Sequence, residues 1–323
     1  MLPRFAYARP RSLEEAVRLL SEPDARVHAG GTDLLGCLRD RVFTAGTLVS
    51  LSGLSELAGI EERPDGSLRI GARTTLAEVA SHPAIVGRFT ALAEGAGAAA
   101  SPQLRNQGTL GGNLCQRPRC VYFRGDFPCA RKGGDVCFAL QGENELHAIF
   151  GGAGCHFVHP SDTAAPLVAL EARVRIEGPA GGRTLPLEQF LVPPSQDLTR
   201  ETVLERGELL TEILLPAPLP GLRSLYRKVR ARGAWDFALA GLALALRREG
   251  GRVARARLVL SGVAPIPWRA RDAEAWLAGR ALGTGTAEAA GELAARGAEP
   301  LEQNAYKIDL VRGLVEGTLL TLS

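Results

Sequence analysis

Four cysteines, Cys120, Cys129, Cys137 and Cys155, fall within 36 residues, directly after the glycine-rich run T-L-G-G-N-L at 109–114. Gly125, Gly133, Gly134, Gly151, Gly152 and Gly154 are scattered among the thiols. Glycine opens backbone conformations closed to other residues, so this stretch is expected to be an irregular loop free to wrap a bulky object. The regular framework must come from the sequence on either side of it.

That framework reads as short helices alternating with short strands, without a solenoid period. Ser12 and Glu15 have capping-box spacing ahead of Ala16, Val17, Leu19 and Leu20, which predicts a first helix. Residues 25–29 read as a short buried strand ending in a tight turn at Gly30 and Gly31, and 68–72 alternate like a strand. Thr75 and Glu78 repeat the capping-box spacing before another helix. A helix is expected over 162–170, a strand over 173–177 and a turn over 178–182. Pro216, Pro218 and Pro220 favour extended connections and mark the best domain boundary. Beyond them, 237–248 and 252–264 read as two long strands joined at Gly250 and Gly251, with helices near 268–278, 287–296 and 303–320. The expectation is two domains, 1–219 and 220–323, the second a smaller α+β unit of about 100 residues.

With 323 residues, 46% of them apolar and 23% charged, the chain has the make-up of a soluble globular protein. The 38 basic and 35 acidic residues leave a net charge of +3 spread along the chain, which gives no footprint for nucleic acid. The arginines of 230–257 are broken up by acidic residues and glycines and read as solvated surface. No stretch approaches the roughly 18 apolar residues of a membrane span. The start, M-L-P-R-F-A-Y-A-R-P, lacks the apolar core and cleavage site of a signal peptide. A cytoplasmic location is expected, and a chain this long can build its core without covalent staples, so its six cysteines read as reduced thiols or metal ligands.

Two glycine runs carry the first chemical signal. In H-A-G-G-T-D-L-L at 28–35, a strand ends in paired glycines and enters a helix, exposing backbone N–H groups with no Cβ to obstruct a phosphate. In S-P-Q-L-R-N-Q-G-T-L-G-G-N at 101–113, Gly108, Gly111 and Gly112 permit close approach, Thr109 offers a hydroxyl and Asn113 an amide. Either run alone is also compatible with a plain tight turn. The nearby G-A-G-A-A-A starting at Gly95 fits a dinucleotide-binding pattern only formally, because a helix-like segment precedes it where a strand is required.

The cysteines are separated by eight, seven and seventeen residues, with no C-x-x-C pair, and structural zinc usually takes closely spaced pairs. Tyr122, Phe123, Phe127 and Phe138 lie among them. Four thiolates in such a loop suit a cubane iron-sulfur cluster, and four small buried hydrophobes is the competing reading. Cys115 lies close enough in sequence to substitute for one ligand, whereas Cys37 sits on an expected helix and reads as a core thiol. Glycine loops that suggest an organic cofactor, beside thiols that suggest an inorganic one, point to electron transfer.

The order of A-G-G-T-D-L-L, I-G-A-R-T-T-L at 70–76, Q-L-R-N-Q-G-T-L-G-G-N-L at 103–114 and H-P-S-D at 159–162 resembles the FAD-binding subunit of molybdenum hydroxylases. Carbon monoxide dehydrogenase, xanthine dehydrogenase and aldehyde oxidoreductase belong to that family. Lys228 followed by Trp235-Asp236-Phe237-Ala238 is similar to the start of the family's C-terminal domain, so the likeness covers essentially the whole chain. The fold it implies is α+β: a two-part FAD-binding domain of the p-cresol methylhydroxylase / vanillyl-alcohol oxidase type, then a smaller domain with an antiparallel sheet and helices. Most members lack the cysteine segment. G-G-N-L-C-Q-R-P-R-C-V-Y-F-R-G, P-C-A-R-K-G-G-D-V-C and H-A-I-F-G-G-A-G-C-H-F-V-H-P-S-D resemble an insertion, here at about 115–158, found in two branches. These are the bacterial aldehyde oxidoreductase flavin subunit and the β subunit of 4-hydroxybenzoyl-CoA reductase.

In those branches the insertion carries a 4Fe-4S cluster, and position by position the resemblance implies Cys120, Cys129, Cys137 and Cys155 as its ligands. For FAD it implies Arg26, Val27, His28, Ala29, Gly30, Gly31, Thr32, Asp33 and Leu34 as the first pyrophosphate strand and turn. Thr109, Gly111, Gly112 and Asn113 would form the second loop, and Asp162 would contact the adenosine ribose. Leu215 and Lys228 match positions near the isoalloxazine ring, with an exposed surface lysine as the alternative at 228. No catalytic acid or base is implied. The expected partners are a molybdenum-cofactor large subunit and a 2Fe-2S small subunit, in a heterotrimer or a dimer of heterotrimers, with an external electron acceptor or donor. The preferred activity is electron relay in aldehyde oxidation to carboxylate, because R-C-V-Y-F-R and the tight Cys129 to Cys137 spacing are closer to that branch. Reductive dehydroxylation of the 4-hydroxybenzoyl-CoA type is the alternative, a non-redox zinc-binding scaffold a remote one, and export to the periplasm is expected only with a partner's signal. A self-sufficient oxidase would need a substrate base that the sequence does not offer.

Overall fold

A computed structural model describes residues 1–322. Three sheets organise the chain. The first is parallel, in the order β1 (Ala6–Ala8), β3 (Thr47–Ser50), β2 (Ala25–His28), and is covered by α1 (Leu13–Leu20). Ser12 caps α1 by accepting from Glu15 N at 3.2 Å, but the box does not close, because Glu15 accepts from Arg11 N at 2.8 Å instead.

The second sheet is antiparallel and five-stranded. It runs β4 (Ile60–Glu62), β5 (Leu68–Gly71), β8 (Leu209–Leu215), β6 (Arg173–Glu177), β7 (Arg183–Pro186). Its inner face, including Leu68, Ile70, Val174 and Ile213, packs on a helical layer. That layer holds α3 (Leu76–Ser81), α4 (Pro83–Arg88), α5 (Thr90–Ala98), α6 (Pro102–Gln107) and, after the cysteine segment, α9 (Ala164–Ala169). Thr75 and Glu78 form a complete capping box on α3. Gly95 lies inside α5 with Asp162 O only 2.5 Å from where a Cβ would stand, so it is a packing glycine and not part of a nucleotide loop.

The third sheet carries the C-terminal domain in the antiparallel order β12 (Trp268–Arg269), β11 (Arg252–Ser261), β10 (Ala240–Glu249), β9 (Leu222–Val229). The hairpin between β10 and β11 turns at Gly250 and Gly251, whose φ values of 54° and 78° are the left-handed pair that a two-residue turn requires. The helices α11 (Arg271–Leu277), α12 (Thr284–Ala295) and α13 (Tyr306–Leu320) cover one face of this sheet through a core that includes Leu242, Leu244, Leu258 and Leu260.

The cysteine segment is short on regular structure, with one four-residue helix, α8 (Val121–Arg124), and two single turns of 3-10 helix, Ala130–Lys132 and Phe138–Leu140. It is nonetheless tied down on both sides. Arg131, buried over the ring of Phe157 at 4.3 Å, donates to Glu201 Oε1 at 2.6 and 2.8 Å. On the other side Ile149 and Phe150 enter the C-terminal core, Asn144 and Gln303 exchange two hydrogen bonds, and Lys307 donates to Leu146 O at 3.1 Å and Gly262 O at 2.8 Å. The segment therefore bridges the two domains.

Candidate functional site

The two glycine runs meet. β2 passes through Gly30 and Gly31 into α2 (Leu34–Arg39), and Gly31 takes the left-handed φ of 70°. A Cβ on Gly30 would stand 2.0 Å from Gln107 O, so only glycine lets the first run touch the second. The second run folds into α7 (Leu110–Leu114), capped by Thr109 Oγ1 accepting from Gly112 N at 3.1 Å. Leu76 N donates to Gly108 O at 2.9 Å and Gly111 N to Ala72 O at 2.8 Å, which fastens this run to the helical layer and the second sheet. Both α2 and α7 are too short for a strong macrodipole, so open N–H groups and clearance shape the site more than a helix field does. A Gly30→Ala variant is expected to lose most of its bound FAD, measured as the flavin-to-protein ratio after gel filtration, because the clash is with backbone that cannot rotate away.

Two cavities, of about 250 and 320 Å³, open on either side of this junction. Thr32, Asp33, Thr109, Gly112 and Gln116 line both, so the cavities form one cleft with the glycine runs at its waist. Arg26, Val27, Ala29, Gly30, Gly31, Leu34 and Gly111 line the first cavity, and Asn113 and Asp162 the second. His28 is turned away: its Nε2 lies 2.9 Å from where a Gly31 Cβ would be, its Nδ1 has no hydrogen-bond partner, and burial lowers its pKa. Asn113 Oδ1 already accepts from Ser161 Oγ at 2.6 Å and Thr163 Oγ1 at 2.7 Å, so what it can offer a ligand is its NH₂.

Leu215 and Lys228 line neither cavity. Leu215 is 1% exposed, faces Leu68 across the β5–β8 pair and lines neither cavity. Leu209 and Leu210, roughly 20 Å up the same strand at its usual rise, line the first cavity instead. The Lys228 side chain is only 4% exposed, which also overturns the surface-lysine alternative. Its ammonium donates to Asp162 Oδ2 at 2.7 Å, Asp236 O at 2.8 Å and Ala98 O at 3.2 Å. Tyr226 OH donates to Asp162 Oδ1 at 2.9 Å and pairs with Ser261 Oγ at 2.9 Å. Burial raises the Asp162 pKa against the pull of Lys228, and burial with the adjacent Asp162 raises that of Tyr226 well above normal. Asp162 is thus a cleft residue held from behind by the C-terminal domain.

Beyond Arg26, sequence reading missed the cations of the cleft. Arg117 lines the first cavity and Arg119 the second. Asp33 binds this stretch to the first glycine run, accepting from Arg117 N at 2.8 Å, Arg124 Nη2 at 2.7 Å and Arg119 Nη2 at 3.0 Å. Positive charge beside open backbone donors is what a pyrophosphate requires. The only sequence hint was R-P-R directly after the second glycine run.

Cysteines of the segment stand near one another in pairs: Cys137 and Cys155 influence each other's ionisation, and Cys120 lies close enough to Cys137 and Cys129 for each to disfavour its own. The neighbouring Cys155 thiol lowers the pKa of Cys137, and Cys137 with burial raises that of Cys155. Cys120 Sγ lies 3.3 Å from His147 Nε2, and Tyr122, Phe127 and Phe138 pack on one another alongside, with centroids 5.1 to 6.0 Å apart. Among the described residues no group of three or more His, Cys, Asp or Glu is arranged to hold a metal ion. Cys115 stands apart, lining the first cavity, with its pKa pushed to about 12 by burial and then by Glu201. Cys37 is buried within α2.

A cleft pinched by two glycine runs, with cations beside it and an α+β domain behind it, defines a flavoprotein subunit. The FAD binding domain in molybdopterin dehydrogenase matches residues 3–218, and the CO dehydrogenase flavoprotein C-terminal domain matches residues 224–322. The chain belongs to the FAD-binding medium-subunit family of molybdenum hydroxylases. It is 36% identical to the aldehyde oxidoreductase FAD-binding subunit PaoB of Escherichia coli, over 98% of this chain and 97% of that one. It is 32% identical to the carbon monoxide dehydrogenase medium chain of Hydrogenophaga pseudoflava, over 93% and 89% of the two chains. A solved structure of carbon monoxide dehydrogenase from that organism superposes with a TM-score of 0.77 at 32% identity, covering 98% of this chain and 96% of the other. Quinoline 2-oxidoreductase from Pseudomonas putida 86 gives 0.78 at 27% identity, covering 99% and 97%. Among the described residues no helix is long and apolar enough to cross a membrane.

Proposed function

We propose that this subunit holds one 4Fe-4S cluster beside its FAD and relays electrons between a molybdenum-cofactor large subunit with a 2Fe-2S small subunit and an external acceptor or donor. The organic reaction we assign is oxidation of an aldehyde to a carboxylate. The observation that carries the reading is the placing of Cys120 near Cys129 and Cys137, and of Cys137 near Cys155, in one segment fastened to the flavin cleft through Asp33. Identity to an aldehyde oxidoreductase FAD-binding subunit favours the aldehyde branch.

Within this reading, Arg26 to Leu34 would supply backbone donors around the pyrophosphate, and Thr109 to Asn113 would supply clearance and the Asn113 NH₂, since the N–H groups of 110–113 are already bonded within the protein. Arg117 and Arg119 would balance its charge, and Asp162 would accept from the ribose hydroxyls. Bound FAD supplies the exchange between one-electron and two-electron carriers. Tyr122, Phe127 and Phe138 would give the bound cluster an apolar side. Cys115 takes no part.

Metal and flavin analysis of the purified complex tests this. About four irons and one FAD per copy of this subunit are expected beyond the iron of the small subunit, and a Cys115→Ala variant should keep all of both. Zinc in place of iron, or iron lost with Cys115, would sink the assignment.

A further inference from the structure

One carboxylate serves the flavin cleft and the cysteine segment together. Glu201 lines neither flavin cavity, and its side chain is only 6% exposed. Its main chain is pinned from behind, where Val192 N donates to Glu201 O at 3.0 Å and Leu191 bridges Thr202. From that fixed point Oε1 accepts from Arg131 Nε at 2.8 Å and Nη2 at 2.6 Å, and Oε2 forms an ion pair with Arg117 Nε at 3.0 Å. The carbonyls just before it repeat the arrangement: Leu198 O accepts from Arg131 Nη1 at 2.7 Å, and Thr199 O from Arg117 Nη2 at 3.4 Å.

The two guanidiniums face different sites. Arg117 lines the first flavin cavity with both glycine runs, and the rings of Phe43 and Phe123 lie 5.7 and 5.1 Å from it. Among the described residues nothing accepts from its Nη1, which leaves that end for an anion in the cavity. Arg131 stands two residues after Cys129, over the ring of Phe157, and its charge reaches Cys155. Burial lowers the Arg117 pKa, Glu201 pulls it back up, and Arg131 pushes it down again, so the two cations repel across the carboxylate that holds them. Without that carboxylate, two poorly solvated like charges would separate. With it, one negative charge against two positive ones leaves the group net positive toward the cleft.

We propose that Glu201 is a positioning residue for FAD: it aims Arg117 at the pyrophosphate and, by holding Arg131 with the same carboxylate, makes flavin binding and the order of the cysteine segment support each other. Such coupling is reciprocal, so whatever the seated segment adds to flavin affinity, bound flavin adds to the stability of the segment. The inference rests on the assignment of Arg117 to the pyrophosphate made above, and it requires no particular metal in the segment.

The test is FAD binding to the purified complex after its flavin has been removed, measured around a mutant cycle. Arg131→Met is the background, because it spares the variants two unpaired buried cations. There Glu201→Gln is expected to weaken FAD binding by about tenfold or more, and by less than about twofold once Arg117→Met is also present. Equal losses with and without Arg117 would show that Glu201 acts through general stability and would overturn the positioning role. An Arg117→Met variant that binds FAD as tightly as wild type would instead sink the Arg117 assignment beneath it. Glu201→Asp in the native background keeps the charge but shortens its reach, and its loss must show the same dependence on Arg117; this second cycle decides the matter if the methionine background does not fold. Amide hydrogen exchange over 129–137 reads the coupling itself. FAD should slow that exchange in wild type and leave it unchanged when Glu201→Gln and Arg131→Met are combined, and exchange in wild type that ignores FAD would overturn the coupling.

Discussion

A Cys129→Ser variant is expected to keep its flavin absorbance and to lose nearly all of its own iron, from about four atoms per chain to less than one. Serine matches cysteine closely in size, but its hydroxyl stays protonated near neutrality and is too hard a donor to replace a thiolate on iron. The fold around the position should survive, since what holds it is main chain: Lys132 N and Gly134 N donate to Cys129 O at 2.8 and 3.1 Å, and Cys129 N donates to Phe127 O at 2.9 Å. Flavin should also survive, because none of Cys120, Cys129, Cys137 and Cys155 lines either half of the cleft. Iron analysis with the visible spectrum decides it. Full iron in the variant removes Cys129 from the ligand set.

The same variant probes how tightly the two sites are joined. Asp33, in the first glycine run, accepts from Arg117, Arg119 and Arg124, all within nine residues of Cys120. If the empty loop collapsed and carried those arginines with it, flavin would leave together with iron. Arg131 opposes that collapse, since its side chain is 1% exposed and bonded twice to Glu201 outside the segment. Retained flavin would therefore show that the bridge to Glu201 holds the loop in place without its metal.

How far the sequence discloses this molecule depends on the range of the forces involved. The strand over 173–177, the hairpin at Gly250 and Gly251 and the capping box at Thr75 are local, and the structure has all three. The strand Leu209–Leu215 escaped notice because it is buried on both faces and so lacks alternation, and its partners Leu68–Gly71 lie about 140 residues earlier. The helical turn at 110–114 contradicts glycine's propensity and exists because Thr109 caps it and Ala72 packs under Gly111. Asp33 stands at the start of α2 but makes no cap bond there and answers arginines more than 80 residues away. The family's motifs point to the glycine loops but are silent on the arginines, because charge pairing across a fold leaves no periodic trace.

Replacing Lys228 by methionine is expected to destabilise the protein by about 3–5 kcal/mol, since it leaves a buried carboxylate without its counter-ion. Lys228 and Asp162 are 4% and 7% exposed at 2.7 Å, and the lysine also ties β9 to Ala98 and to the Asp236 carbonyl. The loss should depend on pH. Burial already raises the Asp162 pKa, and Lys228 is the leading force pulling it back. Without the lysine the folded carboxyl climbs further above its unfolded value. Folding then favours the protonated acid, so the variant's deficit is smallest below the ordinary carboxylate range and grows as pH rises through the folded pKa. Urea denaturation at several pH values reads this directly, and a deficit that does not vary with pH would place the cost in lost packing. Adding Asp162→Asn to the methionine variant removes the stranded charge and should recover much of the stability while FAD affinity falls. That separation would distinguish the two duties proposed for Asp162, which on one side lines the cavity assigned to the cofactor and on the other locks the C-terminal domain to the cleft through Lys228, Tyr226 and Ser261.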